Sequence, residues 1–135
     1  MPAPFDLYIA KIGSDLKGGQ ATEYTYRSAL EQYMESVRPG VKASNDPKHI
    51  ECGAPDFIIE KGKVPLGYVE TKDVGADLGK VEKTDQMKRY RKALNNLILT
   101  DYLEFRWYLN GEPHRTVPVA TVGKNGKLIP ADNAA

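Results

Sequence analysis

The chain has 135 residues, 41% of them hydrophobic and 27% charged, and its 19 basic and 18 acidic residues leave a formal net charge of +1. That length holds one globular domain and leaves little room for two. Ordinary glycine and proline usage excludes collagen-like and fully disordered chains, no apolar run approaches the roughly 18 residues of a membrane span, and the near-even charge balance means that a highly charged partner has to be met by a local patch.

Residues 1–12 hold Asp6 and no long apolar core, so they do not read as a secretory signal. Residues 1–4 and 131–135 are expected to be loose ends of a single domain spanning 1–135. The Gly18-Gly19 pair places 14–20 (SDLKGGQ) in a loop. A helix is then predicted from Thr22 as N-cap, with Tyr26, Ala29, Leu30, Tyr33, Met34 and Val37 on one face, ended by Pro39-Gly40. A short strand followed by a turn is expected over 41–47. The runs 56–60 (DFIIE) and 64–72 (VPLGYVETK) form a hairpin across Lys61-Gly62-Lys63. After a glycine-containing loop over 73–80, a second helix is predicted over 81–94, with Met87, Tyr90 and Leu94 inward. Strands are expected at 97–100, 104–109 and 116–122. Asn110-Gly111 supplies a hairpin turn, Pro118 indicates a sheet edge, and 124–127 makes one more turn. The order points to an α/β domain, a mixed sheet with helices against it.

The candidate chemistry sits at one corner of that hairpin. Strand side chains alternate faces, so Glu70 and Lys72 share one side, and the turn at Gly62 returns Asp56 beside Glu70. Two carboxylates and one ammonium suit metal-assisted phosphodiester hydrolysis. Magnesium takes one or two carboxylates and keeps several waters, and a nearby lysine can orient a water or offset transition-state charge. The backbone carbonyl of Thr71 is a further candidate ligand. A plain surface pair between Glu70 and Lys72 is the competing reading. Gln86 and Tyr90, four apart, share a helix face; the bland alternative makes Tyr90 core and Gln86 rim. Glu23 is either a helix-dipole partner or an acid reaching the metal from the opposite wall. Of the cations over 80–92, Lys80, Lys83, Lys88, Arg89 and Lys92 are candidates for DNA phosphate contacts, against the alternative of a merely solvated face. His49 and Cys52 are three apart without a second pair to complete a zinc site.

Pro55-Asp56, Glu70-Thr71-Lys72 and Gln86-x-x-x-Tyr90, in that order, resemble the PD-(D/E)xK nuclease superfamily. The strings ATEYTYRSALEQYME, CGAPDFII, GYVETKDVG, DQMKRY and NLILTDYLEFRWY resemble the Mrr-like N-terminal nuclease domain of single-chain type I (type ISP) restriction–modification enzymes, over about residues 5–112. The resemblance implies a restriction-endonuclease-like core of order αβββαβ with a C-terminal β-hairpin extension. It implies Asp56 and Glu70 as metal ligands, Lys72 as the catalytic lysine, Gln86 and Tyr90 as an accessory pair, and Glu23 as the helix-one acid. It also implies Mg2+, or Mn2+, as cofactor and double-stranded DNA as substrate, in a prokaryotic or phage setting. Cutting both strands would call for a homodimer. In that family a translocase, a methyltransferase and a target-recognition domain follow, whereas this sequence stops at Ala135; the expectation is an excised domain or a stand-alone relative. A catalytically inactive DNA-binding or docking module with the same fold is the alternative, and an unrelated small-molecule enzyme ranks behind both.

Overall fold

The computed structural model describes residues 3–18, 23–45, 55–123 and 127–131, with the side chains of 23, 24 and 45 excluded. The expected cap at Thr22, the His49 and Cys52 pair, most of the 124–127 turn and the tail beyond Ala131 lie outside the described residues.

The helix α1 (Pro4–Gly18) precedes α2 (Glu23–Val37). The first is a correction to the predicted loop over 14–20. Phe5, Tyr8, Ile9, Ile12 and Leu16 recur at helical spacing, and Tyr8 and Ile12 are buried. The helix therefore runs to Gly18, because tertiary burial outweighs the weak helix propensity of Gly13 and Ser14. Pro4 at its head costs nothing, since that N–H has no intrahelical partner.

Six strands form one sheet in the order β1 (Val41–Asn45), β2 (Phe57–Lys61), β3 (Val64–Thr71), β4 (Asn96–Thr100), β5 (Glu104–Leu109), β6 (Glu112–Pro118). Only the β3–β4 pair is parallel. The crossover between them carries α3 (Leu78–Val81) and α4 (Asp85–Ala93), so the helix predicted over 81–94 begins only at Asp85, and a short extra helix occupies the end of the expected loop over 73–80. The break has a local cause. Asp77 caps α3 by accepting from Lys80 N, and Thr84 caps α4 by accepting from Met87 N, so each helix start satisfies its own otherwise unpaired amides. The expected inner face holds, with Met87, Tyr90 and Leu94 all buried. Pro118 closes β6, an outer strand of the sheet, as its missing donor requires. A separate two-stranded hairpin, β7 (Ala120–Val122) with β8 (Leu128–Pro130), packs beside α1.

Side-chain alternation gives the sheet two apolar faces. On one, Phe57, Val69 and Ala43 pack with Tyr8, Ile12 and Leu30 of α1 and α2; on the other, Leu97, Leu99 and Tyr108 pack with Leu78, Met87 and Tyr90. Each fully buried side chain of this size contributes about 1.5–3 kcal/mol. The helix α4 is fixed at its C-terminal end, where Arg91 Nε donates to Gly111 O at 3.0 Å and the guanidinium lies 4.7 Å from the centre of the Tyr108 ring. Glu82, between α3 and α4, is tied to β5 by Arg106 at 2.8 Å.

The ladder between β2 and β3 shifts register after Ile59, and Gly67 lies at that irregularity. A Cβ there would stand 2.9 Å from Asn96 Nδ2 and 3.1 Å from Asn96 O. Asn96 cannot yield freely, because Nδ2 donates to Leu66 O at 2.8 Å and Oδ1 accepts from Trp107 Nε1 at 2.6 Å. Gly67→Ala is accordingly expected to cost about 2–3 kcal/mol in chemical denaturation, through overpacking and two disturbed hydrogen bonds.

Candidate active site

The parallel strands β3 and β4 end side by side at Thr71 and Thr100, and the ladder continues one step further, with Lys72 N donating to Thr100 O at 2.9 Å. The carboxyl end of a parallel pair is where open α/β sheets place ligands. Burial deepens along β3 from exposed Val64 to buried Val69, Glu70 and Thr71, so the polar end of the strand is its most enclosed part. Glu70 is only 4% exposed.

Asp56 precedes β2 and returns beside this end. Its backbone N–H donates to Glu70 Oε1 at 3.2 Å. Its carboxylate Oδ2 accepts from both the N–H and the hydroxyl of Thr71, each at 2.8 Å. Glu70 Oε2 faces Lys72 Nζ at 3.4 Å, and the same ammonium reaches Gln86 Oε1 at 3.5 Å. Gln86 is delivered by the first turn of α4, which the Thr84 cap aligns. The hairpin and the crossover thus bring Asp56, Glu70, Thr71, Lys72 and Gln86 to one corner.

Glu70 carries a shifted proton affinity. Its carboxyl is pushed up to about 7, first by burial, then by the negative charge of Asp56, with Lys72 acting in the opposite sense. A buried carboxylate beside a second carboxylate is a site under electrostatic load, and an added cation relieves it.

The remaining sequence candidates fall elsewhere. Tyr90 is 2% exposed and packs in the core with Met87, Leu97 and Leu99. Glu23 opens α2, and its side chain lies outside the described residues. Lys80, Lys83, Lys88, Arg89 and Lys92 are spread along α3, α4 and the turn between them, with Lys83, Lys88, Arg89 and Lys92 exposed and Lys80 exposed too, whereas Arg91 is engaged against Tyr108 and Gly111.

Two contributions escaped the sequence reading. Thr71 was expected to offer a carbonyl, yet its N–H and hydroxyl orient Asp56. Arg27, from α2, donates to Asp56 Oδ1 at 2.5 Å. Apolar periodicity marks the buried face of α2 and carries no signal for a cation such as Arg27 at its edge.

The donor set fits a hard divalent cation. It consists of carboxylate oxygens, the ligands such an ion takes; among the described residues no group of three or more His, Cys, Asp or Glu side chains gathers anywhere.

No family model and no curated protein matches the chain. Among seven matching chains of solved structures is one from the cryo-EM structure of a DrdV–DNA complex, with a TM-score of 0.71 and 20% identity over 85% of this chain. The present chain spans 12% of that chain's length. At such identity the likeness bears on architecture, and the architecture is the restriction-endonuclease-like fold, a mixed six-stranded sheet between helices.

Proposed function

We propose that this domain is a metal-dependent DNA endonuclease, similar to the nuclease part of type ISP restriction–modification enzymes. The observation that carries this reading is the meeting of Asp56 and Glu70 at the end of β3 with Lys72 and Gln86 alongside. The likeness to a chain solved in a DrdV–DNA complex supports DNA as the partner. Asp56 and Glu70, with the Thr71 carbonyl, would hold Mg2+ or Mn2+. Such an ion, when bound, supplies Lewis-acid stabilisation of phosphate charge and lowers the pKa of a coordinated water.

The chain's own groups do the rest. Thr71 fixes the rotamer of Asp56 with two hydrogen bonds, so that ligand is oriented in advance. Lys72, held between Glu70 and Gln86, presents a positive charge beside the carboxylates and offsets charge developing on the phosphate. Tyr90 acts from the core by seating the helix that carries Gln86. The exposed cations Lys80, Lys83, Lys88, Arg89 and Lys92 supply a backbone-binding strip, and cleavage of both strands is assigned to a homodimer. In a longer natural chain, a target-recognition domain would choose the site, with translocase and methyltransferase modules alongside it.

Plasmid nicking by the purified chain is expected with Mg2+ or Mn2+ and not with EDTA. Asp56→Ala is expected to lose both nicking and metal binding by calorimetry. Metal-independent nicking that survives in Asp56→Ala would refute the reading.

A further inference from the structure

Each of the two carboxylates carries its own cation. Glu70 has Lys72, which the motif supplies. Asp56 has Arg27, which comes from α2, packed on the opposite face of the sheet from α4. The Arg27 and Asp56 side chains are 19% and 17% exposed, so the pair is shielded from bulk water, and its attraction is little screened. With Thr71 on Oδ2 and Arg27 on Oδ1, both oxygens of Asp56 are engaged.

We infer that Arg27 is a resident counter-cation of the metal-free site: it holds Asp56 in place and competes with the divalent ion for Oδ1. This rests on the nuclease reading above. A divalent ion drawing on Oδ1 meets a guanidinium already bound there, and the like charges repel at contact range. Arg27 is therefore a positioning residue with two opposed effects. It stabilises the site before metal arrives and weakens the metal once it does. A group that only braced Asp56 would act in one direction, since its loss would loosen the ligand and lower metal affinity.

The full chain and its Arg27→Gln variant are titrated with MnCl2 and with MgCl2 by calorimetry at pH 8, alongside thermal melts in EDTA. Arg27→Gln is expected to bind both metals about tenfold more tightly and to melt several degrees lower in EDTA. Unchanged or weaker binding by Arg27→Gln, with normal binding by the unaltered chain, overturns the inference and leaves the nuclease reading standing. Absence of binding by both proteins overturns the two together. If Arg27→Gln fails to fold, Arg27→Lys decides: its shorter reach relaxes the contact with charge retained, so affinity rises above that of the unaltered chain, and a fall overturns the inference.

Discussion

Lys72→Ala is expected to lower metal-dependent plasmid cleavage by about 10²–10³-fold, the usual loss when one preorganised electrostatic group leaves a reaction centre. Its fold should survive. The Lys72 side chain is 31% exposed and spans Glu70 at 3.4 Å and Gln86 at 3.5 Å, so its removal costs one partly solvated pair and one long hydrogen bond. Melting within a few degrees of the parent, together with the collapse in rate, separates a chemical role from a structural one. Lys72→Arg is expected to recover little, because a planar guanidinium cannot occupy the place of a compact ammonium between two side chains. Retention of more than a tenth of the activity in Lys72→Ala would remove that residue from the chemistry.

Glu70→Gln is expected to raise stability. The carboxyl titrates near 4.5 in an unfolded chain and at about 7 in the folded protein. Between those values the folded state binds this proton more tightly than the unfolded state, so stability falls as pH rises through that window and levels off above pH 7. The ionised side chain thus costs on the order of 3 kcal/mol at pH 8, at about 1.4 kcal/mol for each tenfold change in proton affinity. Glu70→Gln removes that cost. In EDTA at pH 8 the variant should melt roughly 10 °C higher than the parent, and the gain should vanish near pH 4.5. The same substitution is expected to abolish metal binding. In the parent, binding must release the Glu70 proton, so affinity should drop about tenfold per pH unit below 7. A variant that melts lower than the parent at pH 8 would show that Glu70 is not strained by its surroundings.

Most of the site's position was legible because it is local. Asp56 and Glu70 face each other across one hairpin with Gly62 in its turn at φ 65°, and turn chemistry together with strand alternation places them without any long-range knowledge. Gln86 was legible as a spacing on a helix, but its contact with Lys72 depends on Thr84 starting α4 where it does. That cap was hidden inside what read as a continuous helical stretch. The helix α1 was missed because the Gly18-Gly19 pair outweighed five apolar residues at the correct period. The helix gains its stability by burying Tyr8 and Ile12 against partners distant in sequence, Tyr102 among them. Arg27 was invisible for a related reason. Nothing in a one-dimensional pattern shows that a half-buried helix position reaches the residue just ahead of a later strand.

The two halves of the site also differ in how far apart they lie along the chain. The hairpin joining Asp56 to Glu70 closes across Gly62 and Lys63 alone, whereas β4 reaches β3 only after the whole crossover, residues 72–95, has been laid down. Closing so short a loop takes microseconds, while parallel pairing has to wait for a long segment to order. During folding the two like-charged acids therefore come into proximity before Gln86 and the β4 ladder arrive to enclose them. Removing one of the two charges, as in Glu70→Gln, should therefore speed the early phase of refolding relative to the parent.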